Sequence, residues 1–120
     1  MISLSVLIEK VGDKFVAHCL ELDVVATADD IDEVRRDLEE LIVEQIKFAI
    51  ENDNLEHLYR PAPAEHWQRF ARANSPKRPA PRWARELDLS RTMTVPPLLV
   101  TSHFAYAQRK AAPATPARVS

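Results

Sequence analysis

The stretch DIDEVRRDLEELIVEQIKFAIENDN, residues 30–54, is the part of the chain around which the rest has to be arranged. Asp30 is a strong N-cap residue, and Glu33 three places on can reach back to the cap's own amide in a capping box. Asp32 and Glu33 place negative charge in the first turn, where the helix dipole favours it. Ile31, Val34, Leu38, Leu41, Ile42, Gln45, Phe48 and Ala49 recur at three- and four-residue intervals, so one face is apolar with a single polar interruption. Asn52, Asp53 and Asn54 end the pattern with residues that leave helices readily. The spacing predicts one amphipathic helix of roughly 35 Å, at 1.5 Å per residue, whose apolar face needs a sheet. Val43, Ile46 and Ile50 widen the apolar surface beyond that face. They are expected to be oligomer contacts unless the C-terminal half covers them, and self-association is the predicted outcome.

Upstream, residues 1–11 alternate, with Ile2, Leu4, Val6 and Ile8 on one side and Ser3, Ser5 and Glu9 on the other, the pattern of a half-buried strand. Val11-Gly12-Asp13-Lys14 contains the chain's one glycine and fits a hairpin turn. In the strand that follows, Phe15, Ala17 and Cys19 share one face and Val16, His18 and Leu20 the other. Residues 23–27 make a short third strand leading into the cap. The predicted unit over residues 1–56 is therefore an antiparallel β-β-β-α domain of the α+β class, with the long helix packed on the sheet.

The chain changes character near residue 56. Residues 1–56 carry 15 acids against 5 bases, a net of −10, whereas residues 57–120 carry 3 acids against 11 bases, a net of +8. All nine prolines lie in the second part. The charges either neutralise one another within or between subunits, or the acidic half meets a basic partner. Residues 57–74 read as a linker, broken by Pro61-Ala62-Pro63, and a short helix opening at Pro63 or Ala64. Trp67 and Phe70 lie on one side of that helix, which is expected to pack on the exposed end of the long one. Residues 75–120 form a Pro/Arg-rich extension. Within it, residues 98–106 suit a late strand that Pro96-Pro97 would confine to a sheet edge, and residues 111–120 read as a disordered tail.

Few residues suggest chemistry. His18 and Cys19 are adjacent on a strand, so they point to opposite faces and cannot act as base and nucleophile together. His57 and His66, beside Glu56 and Glu65, meet no metal-ligand spacing. One glycine cannot build a phosphate-binding loop. No catalytic, cofactor or metal residue is assigned, and an enzyme is not expected. Lys77, Arg78, Arg82, Trp83 and Arg85 mix cations with an indole, which makes them candidate nucleic-acid contacts or a solvated basic linker. A single cysteine excludes an internal disulfide, and no apolar run approaches a membrane span, so a cytoplasmic protein with no membrane partner is expected.

Phe15, Ala17, Cys19, Glu21, Leu22, Thr27, Asp29, Glu33 and Val34 occupy the places of a signature through which the first fifty residues resemble the HicB-like antitoxin family of type II toxin–antitoxin systems. That signature has a proline where this chain has Leu20 and a glycine where it has Ala28. The resemblance implies a partial ribonuclease-H-like fold without catalytic carboxylates, a small toxin as partner, assembly as dimers or tetramers, and often a C-terminal DNA-binding module. Residues 57–120 show no ribbon-helix-helix or helix-turn-helix pattern. The leading expectation is a non-enzymatic interaction module that binds a small basic toxin or another protein through Glu40, Glu44 and Glu51 and forms a homo-oligomer. The alternative is a small nucleic-acid binder led by the basic segment 69–91.

Overall fold

The computed structural model describes residues 1–86, 90–95 and 98–109, with residues 85, 86 and 90–94 through their backbone. Five strands, β1 (Ile2–Val11), β2 (Lys14–Cys19), β3 (Val24–Ala28), β4 (Ser90–Val95) and β5 (Leu98–Arg109), form one sheet in the order β3-β2-β1-β5-β4. Two helices, α1 (Ile31–Glu51) and α2 (Ala64–Ala73), complete an α+β fold, with 3₁₀ turns at Leu55–His57 and Arg82–Glu86. The first three strands are an antiparallel meander, whereas β1 pairs in parallel with β5 and β4 pairs antiparallel to β5. Val11 pairs with Lys14, so the first hairpin turns through Gly12, at φ 65°, and Asp13.

The alternation in β1 is realised, but the strand is not half-buried: Leu7 and Glu9 on its other face are buried as well. Leu4, Val6 and Ile8 meet Ala17 and Cys19 of β2, Ala26 and Ala28 of β3 and Val34, Leu38, Ile42 and Ile46 of α1 in one core. Asp30 caps α1, its carboxylate accepting from the Asp32 and Glu33 amides at 3.1 Å each. The helix ends in a Schellman motif. Asp53 takes the left-handed conformation at φ 49°, Asn54 N–H donates to the Ala49 carbonyl at 2.7 Å, and Asp53 N–H donates to that of Ile50 at 3.1 Å.

Four expectations change. First, α2 packs against β1 and β5 and lies on the sheet face away from α1, so it does not cover the long helix. The chain reaches that face along the β2–β3 connection, where Arg60 N–H donates to the Glu21 carbonyl and Ala62 N–H to that of Leu20. Second, the late strand runs to Arg109 and sits inside the sheet between β1 and β4. The two prolines precede its first residue, so no ladder position is lost to them. Third, β4 is an additional strand and takes the edge.

Fourth, the apolar stripe of α1 is rotated. Ile46 is wholly buried, Val43 and Ile50 are half-buried against the core, and Leu41 and Phe48 are exposed at 37% and 63%. The reason is the extended sheet. On the flank of α1 that carries Arg35, the guanidinium carbon lies 5.2 Å from the Phe104 ring centre of β5, and Val43 and Ile50 pack against the core that Phe104 belongs to. The flank of Leu41 and Phe48 overhangs β3, beyond which the sheet stops. Residues 110–120, including the stretch read as a tail, lie outside the described residues, as do Pro96 and Pro97.

Candidate interaction surface

Glu40, Glu44 and Glu51 all emerge on the solvent side of α1, at spacings of four and seven, and none is ion-paired among the described residues. Each is an exposed carboxylate, so it attracts a cationic partner without a large desolvation cost. Beside them, Leu41, Glu44, Gln45 and Phe48 line a shallow depression of about 350 Å³. A deeper groove of about 370 Å³ continues past Phe48, between the end of α1, the β2–β3 connection and the 3₁₀ turn after the helix. Its lining includes Val24, Leu58, His57 and Arg60.

The neighbouring β3 is a free edge. Val24-Val25-Ala26-Thr27-Ala28 carries no charge, proline or glycine, and Val25 is 47% exposed. Edge strands are normally protected by such residues. The opposite edge, β4, carries Arg91.

The residues assigned to self-association are placed elsewhere. Ile46 belongs to the core, and Val43 and Ile50 pack against it, so the exposed apolar side chains of α1 are Leu41 and Phe48 instead, with Val25 exposed on β3. The basic segment is divided too. Lys77, Arg78 and Arg82 are exposed, and the side chain of Arg85 lies outside the described residues. Trp83 stands edge-on to Phe15, 5.4 Å away, and Tyr106, 5.5 Å away, half-buried against the core. It packs against the core instead of standing free beside the exposed cations.

His18 and Cys19 do point to opposite faces. Cys19 is in the core, where burial pushes its thiol up to about 12, which leaves it protonated and unreactive at neutral pH. His18 is buried on the other face, its Nε2–H donating to Asp23 Oδ1 at 2.7 Å. His57 Nδ1–H donates to Asn54 Oδ1, 2.5 Å away, on the groove by Leu58, whereas His66 lies on α2 against His18. Among the described residues no group of three or more His, Cys, Asp or Glu side chains is arranged to hold a metal ion, and no helix is long and apolar enough to cross a membrane.

Two clusters were invisible to sequence reasoning. Glu21 accepts from the Ser5 amide at 2.6 Å and from its hydroxyl at 3.0 Å. Glu9, 4% exposed, accepts from Arg69 Nε at 3.0 Å and lies 3.6 Å from Arg109 Nη2. Glu9 lies on the polar side of β1, and nothing local in the sequence signals that Arg69 of α2 meets it there. Compared with protein-family models, curated proteins and solved structures, the chain matches none of them.

Proposed function

We propose that this chain is a non-enzymatic protein-interaction module, similar in role to a HicB-like antitoxin and acting in the cytoplasm. In this reading Glu40, Glu44 and Glu51 receive a small basic protein such as a toxin, and a second copy of the chain docks along β3. The observation that carries it is the juxtaposition of three unpaired carboxylates with an uncovered apolar flank, Leu41 and Phe48, beside an uncharged strand edge. Charge gives steering and apolar surface gives residence, the two things a protein interface needs. The β-β-β-α order agrees with what the HicB-like resemblance implies.

A second copy suits the edge because antiparallel pairing of one strand with itself is isologous and closes. Light scattering on wild type and Phe48→Glu tests that part: twice the mass of one chain is expected for the first and a single chain for the second. For the partner, Glu40→Lys/Glu44→Lys/Glu51→Lys is compared with wild type in a pull-down at rising salt. Loss of a basic protein from the variant, and from wild type as salt rises, is expected. A triple variant that kept every partner would remove the basis of the reading.

A further inference from the structure

The face of the sheet away from α1 carries a different kind of surface. A groove of about 220 Å³ is lined by Glu9 of β1, by Arg69, Arg72 and Ala73 of α2, by Arg78 after it, and by Ala107, Gln108 and Arg109 of β5. Four guanidinium groups therefore converge on one opening with a single carboxylate among them, an excess of three positive charges.

That carboxylate is already committed. Glu9 accepts from Arg69 Nε at 3.0 Å and Nη2 at 3.4 Å and lies 3.6 Å from Arg109 Nη2, so one buried acid holds two guanidiniums in place. Arg69 Nη2 also donates to His66 Nδ1 at 2.8 Å, a neutral acceptor that fixes the group without cancelling its charge. Arg109 Nε is buried with no hydrogen-bond partner among the described residues. Arg72 and Arg78 are exposed and form no ion pair among the described residues. Two cations are thus held by the fold and two project at the rim.

Planar, fork-shaped donors in fixed positions match the several oxygens of a phosphate group, with which arginine makes paired charge-assisted hydrogen bonds. Among the described residues no aromatic ring lines the groove, and Trp83 packs between Phe15 and Tyr106 on the other face of the sheet. A base would therefore find no stacking partner, and recognition falls to the phosphate alone. We infer that Arg69, Arg72, Arg78 and Arg109 form a binding site for phosphate groups, supplied by a polynucleotide backbone or by a free polyphosphate, on the sheet face opposite the acidic helix. The inference is independent of the protein partner proposed above, because it uses none of the residues on α1.

The test measures binding of the full chain to two probes at about 50 mM salt, a labelled single-stranded oligonucleotide of about 20 nucleotides and inorganic tripolyphosphate. Arg72→Ala/Arg78→Ala removes the two rim cations, which are exposed, so folding is preserved. Arg36→Ala/Lys47→Ala removes the same charge from α1 and serves as the control. Binding is expected to fall at least tenfold in the first variant and to stay within about twofold in the control. For the oligonucleotide, the slope of log affinity against log salt should drop by about 1 to 2 in the first variant only. Oligonucleotide binding assigns the source to a polynucleotide, and tripolyphosphate binding without it assigns the source to a free polyphosphate. The inference is overturned if neither probe binds, if the two double variants behave alike, or if a poly-glutamate peptide displaces the probes as well as phosphate does.

Discussion

The rings of His18 and His66 stand edge to face with their centroids 4.8 Å apart, one from β2 and one from α2, and this contact helps to seat α2 on the sheet. Burial pushes the His18 pKa below its ordinary value of 6.5. The hydrogen bond to Asp23 opposes this, while the nearby His66 and Arg69 add to it. A base whose folded pKa is lowered is neutral in both states above its unfolded value, so its contribution is complete there. As pH falls below about 6.5 the unfolded chain takes up the proton first and stability is lost.

The urea midpoint should therefore fall between about pH 7 and about pH 5, and fall less steeply in His18→Gln. Chemical denaturation at three pH values checks this. Parallel profiles for the two proteins would show that His18 does not couple α2 docking to protonation.

Truncations along α1 should rank by the observed register. Leu38→Ala and Ile46→Ala each remove a side chain from the core and should cost about 2 to 5 kcal/mol. Asp30→Ala loses two cap hydrogen bonds and should cost about 1 kcal/mol. Phe48→Ala removes an exposed ring and should stay within about 0.5 kcal/mol in the monomer. Equilibrium denaturation at low concentration measures all four, and a Phe48 penalty matching that of Ile46 would contradict the register.

Cys19 should resist thiol reagents in the native protein and react at once in denaturant, because its thiol is enclosed and pushed up to about 12. Rapid labelling of the folded chain at neutral pH would mean that β2 opens far more often than a core strand should.

Arg69→Ala leaves the buried Glu9 carboxylate with only the longer contact to Arg109 and should cost about 3 to 5 kcal/mol. Arg69→Ala/Glu9→Gln should recover part of that loss. Thermal unfolding of the two variants decides it, and equal losses would mean that the charge is not what α2 docking depends on.

The meander and the long helix were legible because their signals are local. Alternation put Leu4, Val6 and Ile8 inward, and Asp30 announced the cap. What was not legible depended on where β5 goes. Its parallel pairing beside β1, with Ile2 opposite Val100, joins residues that share no sequence pattern. That pairing moves the centre of α1's buried stripe from Leu41 and Phe48 toward Ile46, because a helix buries whichever flank the sheet extends beneath. It also makes the floor on which α2 lies, so the meeting of Arg69 with Glu9 could not be read from either segment alone. Ser90-Arg91-Thr92-Met93-Thr94-Val95 is rich in β-branched residues, a strand signal that the adjacent prolines obscured.

The same pairing sets an order on the life of the chain at the ribosome. β1 is synthesised first, yet its second neighbour is β5, whose pairing runs from Val100 to Arg109. Until translation passes that point, the emerging meander holds β1 with one row of backbone groups unanswered, and closing so long a loop is slow. A nascent chain stalled in the proline-rich stretch would be left with that open row, a substrate for chaperones and proteases. Completion of β5 is thus what answers the open row of β1.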